Sequence, residues 1–344
     1  MAEIKSIAST CEVLPERMTV TCANKEDETL KNVFYGYGDK AKDRVATIGT
    51  FAVALSDKDP KIQTIAAKLL GSKFSQGWGP KVAVGQVDAS VAALLRAAIP
   101  TLPGDYPARN AVVATVYASS LSDTDAEMHA FLEGAEDEHV QRSGWEATMF
   151  YGRMKAFDKV QALAASGEPK KILTAVTAAN NMFKYTDEER AKVCPWAHAL
   201  LGADAEDVKE SDIFEEAGYV LTKCSGEWVD KLLDWGEAQE EKSVFDRKYY
   251  FVYRELCHSV MKGVDKVGAT PEQCNRNFAF LEKAANNKGI EPKFRAWALD
   301  SISYARRDEA SYKLMKKYKK SKVPEIKKVA EDALKMLEGY VKKK

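Results

Sequence analysis

Residues 291–340 read EPKFRAWALDSISYARRDEASYKLMKKYKKSKVPEIKKVAEDALKMLEGY and hold one local pattern twice. Pro292 is followed by Phe294, Arg295, Trp297, Ala298 and Ile302; Pro324 is followed by Ile326, Lys327, Val329, Ala330 and Leu334. Counted from each proline, apolar residues fall at plus two, five, six and ten, with a base at plus three, and the two prolines stand 32 residues apart. Proline is tolerated in the first turn of a helix, where its missing N–H would have no partner and its fixed φ suits the helix. Apolar residues at those offsets lie along one face of a 3.6-residue helix. The alanine at plus six lets a neighbouring helix come close. Such a helix cannot bury its stripe alone, and one supersecondary unit recurring every 20–50 residues or so is the mark of a stacked repeat.

The same grammar can be followed outward. Val45, Ile48, Ala52 and Leu55 make a helical stripe that stops at Ser56–Pro60. A third proline-led helix starts there, with Ile62, Ile65, Ala66, Leu69 and Leu70 inside, Gln63 at plus three and Gly71 as its C-terminal stop. Asp105-Tyr106-Pro107 and Gly167-Glu168-Pro169 open two further helices. Between these, the spacing predicts helices over Val87–Ile99, Asp123–Gly134 and Ser143–Ala165. Asp187–Leu201, Asp212–Lys223 and Glu227–Trp235 read as shorter ones, and Phe245–Lys262 and Pro271–Ala285 lead back to the terminal pair. Residues 1–24 show little periodicity and suggest one or two short helical turns. No segment alternates convincingly with hairpin chemistry. The expectation is therefore all-α, with about 14–17 helices joined by short turns.

A short turn, then Asp or Glu, Pro, an apolar residue, a base, and two residues later an apolar–Ala pair resembles the second helix of HEAT-type repeats. Asp59–Gly71, Glu291–Ile302 and Val323–Leu337 carry the resemblance; Asp105–Ala118 and Glu168–Ala179 carry it about a residue out of frame. It implies an α-α superhelix (a solenoid) over residues 25–344 with an irregular centre at about 185–285, preceded by a short segment 1–24. It also implies a family made up mostly of scaffolds and binding surfaces. A fold does not carry an activity with it.

The chain has 344 residues and a formal net charge of zero, which argues against a surface given over wholly to nucleic acid. The charge is unevenly spread. Residues 204–241 hold 13 Asp/Glu against 3 Lys/Arg, and residues 306–344 hold 14 Lys/Arg against 6 Asp/Glu. No apolar run approaches a membrane span, and no apolar signal segment follows Met1. Six cysteines, at 11, 22, 194, 224, 257 and 274, fall into three local pairs among the 15 connectivities that six allow. Disulfides between Cys11 and Cys22, Cys194 and Cys224, and Cys257 and Cys274 would favour a periplasmic or secreted protein; in a cytoplasmic one these residues would be small core side chains.

Signals for chemistry are sparse. His129 and His139, amid Glu127, Glu136, Asp137 and Glu138, lack the same-face spacing of a zinc helix and read as an acidic solvated turn. Cys194 and His198 stand at i, i+4, and Cys257-His258 adds a second Cys/His pair, which keeps a metal or small-molecule carrier open as a reading. Phosphate-cradle and hydrolase motifs are absent; Gly36-Tyr37-Gly38 and Gly77-Trp78-Gly79-Pro80 read as loops. Tyr249, Tyr250, Phe251, Tyr253, Trp228 and Trp235 favour core packing over a groove. Lys313, Lys316, Lys317, Lys319, Lys320 and Lys322, interleaved with Tyr312 and Tyr318, are either a polar terminal cap or a grip for phosphate.

The reading that joins these features is a non-catalytic protein-binding or scaffold module, with no cofactor, that meets another protein through Asp230, Asp234 and Glu237 or through Lys316, Lys317 and Lys320. The alternative is a HEAT-like nucleic-acid-binding protein, or an enzyme of the DNA-glycosylase type, using the basic C-terminal end.

Overall fold

Pro60, Pro292 and Pro324 each stand at the head of a helix, and so do Pro107, Pro169 and Pro271. The computed structural model describes residues 1–22, 44–75, 89–120, 126–180, 182, 185–202, 210–240, 247–261 and 269–341. The loop readings at Gly36–Gly38 and Gly77–Pro80 lie outside them. The described residues form seventeen α-helices and one small hairpin, and the chain is all-α. It divides into two compact units, Met1–Asp158 and Lys159–Lys344.

The first unit opens with helix α1 (Ala2–Thr10). The strands β1 (Cys11–Leu14) and β2 (Thr19–Cys22) follow, paired antiparallel with Cys11 opposite Cys22 around a 3-10 turn at Pro15–Arg17. The sequence suggested only helical turns here. Four-residue strands are too short to betray themselves by alternation, and the disulfide closes the open end of the ladder. Then come α2 (Arg44–Ala54), α3 (Pro60–Ser75), α4 (Ala89–Ala98), α5 (Pro107–Ser120), α6 (Ala126–Glu133) and α7 (Glu138–Gly152). Helix α3 packs on α1, α2 and α5; α5 packs on α4 and α7; and α6 lies along α7. Phe51, Leu55, Ile62, Ile65, Leu69 and Leu95 are core residues of this unit. The predicted single helix over Ser143–Ala165 is broken: α7 ends at Gly152, Arg153 takes a positive φ, and α8 (Met154–Ala164) begins after it.

The second unit contains α9 (Pro169–Asn180), α10 (Asp187–Ala199), α11 (Glu210–Thr222), α12 (Glu227–Glu240) and α13 (Arg247–Met261), then α14 (Pro271–Asn286), α15 (Pro292–Ala305), α16 (Glu309–Tyr318) and α17 (Pro324–Val341). Each odd-numbered helix packs on the next odd one, from α9 through α11, α13 and α15 to α17. The even helices α10, α12 and α14 form a second series beside them. Capping boxes at Thr186/Glu189 and Thr270/Gln273 start α10 and α14.

The repeated offsets bury what they should. At Pro60 all four apolar positions, Ile62, Ile65, Ala66 and Leu70, are in the core. At Pro324, Ile326, Ala330 and Leu334 are buried; at Pro292, Ala298 and Ile302 are buried, while Phe294 and Trp297 are half-buried with ring centroids 5.3 Å apart. The plus-three residue has a structural job in two copies. Arg295 Nε donates to the Ala285 carbonyl at the end of α14, and Gln63 Nε2 donates to the Asp57 carbonyl in the turn before α3. Gly71 does not stop α3. It sits inside the helix where a Cβ would come 2.8 Å from a methyl of Val112 on α5, so it is there for close approach.

Candidate partner-binding surface

The acidic stretch and the lysine stretch fare differently. On α12, Asp230, Asp234 and Glu237 follow one another at four and three residues, which puts them on one helix face. That face meets Arg276 of α14. The Glu237 carboxylate takes two hydrogen bonds from the guanidinium, from Nε at 3.0 Å and from Nη2 at 2.8 Å. Asp234 accepts from Nη2 at 2.5 Å, and Asp230 lies 3.8 Å from Nη1. Hydrogen bonds to Glu237 and Asp234 hold the guanidinium pKa above its ordinary value. The three expected partner-binding acids are thus brought together, but around a base of their own chain. The sequence reading passed over Arg276, although the spacing of the three acids signalled a shared target.

The lysines stay in water. On α16, Lys313, Lys316 and Lys317 are exposed, as are Lys319, Lys320 and Lys322 beyond it. Lys313 reaches Glu309 at 3.7 Å and Lys317 reaches Glu282 at 3.8 Å, both loose surface pairs. Among the described residues no ion pair involves Lys316, Lys319, Lys320 or Lys322. Lys316 lies 4.4 Å from the centroid of the Tyr312 ring, close enough for a cation–π contact. Tyr318 does not join this face, being buried.

Next to the lysines, arginines and aromatic rings alternate across three helices. Arg254 on α13 lies 4.1 Å from the Phe251 ring centroid and 4.3 Å from that of Tyr304 on α15. Arg307 lies 5.0 Å from Tyr304 and 5.0 Å from Tyr340 on α17, and donates to the Tyr340 hydroxyl at 2.6 Å. The sequence did not disclose this ladder, because its members are spread over residues 251–340 and meet only through packing.

The sites considered for metal or nucleophile chemistry have other employment. Cys194 is bonded to Cys224 and Cys257 to Cys274, with Cα–Cα separations of 6.2 and 5.6 Å, so neither offers a thiolate. Cys11 and Cys22 form the third bridge at 4.3 Å. His198 stands against the Trp228 ring; burial and the charge of Lys231 lower its pKa. His129 is not solvated as the sequence suggested: its Nδ1 is 2.6 Å from the Thr148 hydroxyl, which in turn donates to Glu133. Glu127 pairs with Arg96, and Asp137 caps α7. No group of three or more His, Cys, Asp or Glu side chains among the described residues is placed to hold a metal ion.

The aromatic cluster is core in part, with Phe251, Trp228 and Trp235 half-buried. Tyr249, Tyr250 and Tyr253 are buried, and Phe214 is enclosed with Trp235 at 4.5 Å and Tyr249 at 4.3 Å. No helix among the described residues is long and apolar enough to cross a membrane.

No protein-family model matches the chain, and no curated protein matches it. Among solved structures, one described as an engineered protein of the Northeast Structural Genomics Consortium aligns over 98% of this chain and 99% of its own, at 14% identity and a TM-score of 0.35.

Proposed function

We propose that the chain is a non-catalytic binding module of HEAT-like helix pairs whose basic terminal face, centred on Lys316, Lys317 and Lys320, captures an acidic partner protein. One observation carries this reading. The acids at 230, 234 and 237 are gathered on Arg276, whereas the lysines of α16 and of the turn after it are exposed: Lys313 and Lys317 have only loose surface pairs, and among the described residues Lys316, Lys319 and Lys320 have no carboxylate partner. The serial packing of α9, α11, α13, α15 and α17 supports the stacked-pair architecture, since each of these helices buries its stripe against its counterparts in the series. An acidic surface brought to that lysine face gains attraction without first breaking strong ion pairs, and complementary charge speeds the encounter.

The test is a salt titration of binding to a glutamate-rich peptide, with a DNA duplex as comparison. The triple variant K316E/K317E/K320E should lose about tenfold or more in affinity for the peptide while keeping its helical circular dichroism. D230N/D234N/E237Q should change it little. Unaltered binding by the lysine variant would overturn the proposal. A duplex bound more tightly than the peptide, with a steep salt dependence, would replace it by the nucleic-acid reading.

A further inference from the structure

The even helices α10, α12 and α14 pack in series, but α16 packs against α15 and α17 and leaves a cleft of ≈360 Å³ between itself and α14. Phe278 and Ile302, nearly fully buried, and Leu314 at the side form its apolar part, and Asn275 and the buried Ser311 also line it. The two lips are small. Ala279 on α14 and Ala310 on α16 are both exposed and line the opening. Arg306 lies 5.2 Å from the Phe278 ring centroid and donates to Asp308 at 2.9 Å. Glu282 is paired across the cleft with Lys317. These two pairs cancel internally, and the lysines without a carboxylate, Lys316, Lys319 and Lys320, lie further along the chain, at and just past the end of α16, beyond the cleft-lining residues 310 and 314.

We infer that this cleft takes an apolar side chain from an acidic segment of the partner, so that the segment's carboxylates meet the lysines of α16. The inference rests on the partner-binding reading and adds its anchor. The argument is complementarity of two kinds close together in the chain. The apolar part of the cleft, rimmed by alanines, accepts a leucine- or methionine-sized group, whose removal from water supplies affinity that surface ion pairs do not. The uncompensated lysines select an anionic carrier for that group. This is the helix-in-groove mode of peptide recognition, reading an apolar residue framed by acids.

Two synthetic glutamate-rich helical peptides test it on the full chain by fluorescence anisotropy. One carries leucines at one-turn spacing; the other has serines in their place. The leucine peptide should bind about tenfold or more tightly than the serine peptide. A279W and A310W, each filling the cleft from an exposed position, should reduce the leucine peptide to the level of the serine peptide and leave the serine peptide unchanged. Thermal unfolding of both variants should match the wild type. Equal binding of the two peptides, or Trp variants that bind the leucine peptide as the wild type does, would overturn the inference while the acidic-partner reading stands. Failure of both peptides to bind would overturn both. Dimers of the wild type that A279W or A310W abolishes would assign the cleft to a second copy of the chain and likewise overturn the inference.

Discussion

Lys223 shows how a single side chain answers to its surroundings. It follows α11, and its ammonium donates to the backbone carbonyl and to Oδ1 of Asn180, the last residue of α9. Asn180 Nδ2 in turn donates to Glu216 at 2.8 Å. The amine thereby caps the carbonyl end of a helix, where positive charge is welcome, but burial dominates and lowers its pKa to about 8. The folded pKa lies below the unfolded value of about 10.4, so between those limits the unfolded chain binds more protons, and stability attributable to this group rises with pH. The difference in unfolding free energy between wild type and K223M, from urea titrations at several pH values from 8 to 10, should grow in favour of the wild type. A flat difference would show that the amine is not perturbed. Nothing in the local sequence around Lys223 marks it, since its partner is 43 residues away. The same holds for Arg109, a fully buried arginine that donates to Gln63 Oε1 at 2.7 Å and to the Pro103 carbonyl at 3.0 Å. Burial lowers its pKa, against the opposing influence of Tyr106 and Asp105.

At the scale of elements, small residues set how closely helices approach. A Cβ on Gly218 of α11 would stand 2.6 and 2.8 Å from the two methyls of Val252 on α13, and one on Gly236 of α12 would meet Tyr253 at 2.6 Å from Cζ. Tyr253 has nowhere to go, because its hydroxyl donates to the Leu232 carbonyl at 3.0 Å within the buried core. The Val252 contact is softer and gives the cleaner experiment. Gly218→Ala should destabilise by about 1–3 kcal/mol through overpacking. Adding Val252→Ala should cost less than the sum of the two single changes, because it opens the space the new methyl needs. Denaturant unfolding of the four proteins measures this, and additive costs would show that the helices are not in contact there. Helix existence and most buried faces were legible in the sequence, since the proline starts and the offsets from them are local. Helix length was less so. Glu227–Glu240 runs past the expected end at Trp235, and Gly236 inside it is a close-contact position, as Gly71 is in α3.

For the whole molecule, covalent links and charge come to the fore. One disulfide lies in the first unit and two in the second, and each joins elements close in the chain. Intact mass after alkylation of the unfolded protein should show no free thiol without reductant and six with it; free thiols before reduction would contradict the pairing. Chain entropy makes the bridge with a separation of 30 residues the most stabilising, at about 3.6 kcal/mol against about 2.8 kcal/mol for Cys11–Cys22. C194S/C224S should therefore lower stability more than C11S/C22S. Sequence by itself determined the helical class, the proline-led starts and most of the buried stripes, and it favoured the local cysteine pairs among the connectivities possible, because all of these depend on residues within a few turns or a short loop of one another. Only the tertiary structure decided which charges are free. Asp230, Asp234 and Glu237 look as available as Lys316 and Lys320 until α14 brings Arg276 to them from some forty residues away. A charge is neutralised by whatever lies within a few ångströms in space, and spacing along the chain does not record that.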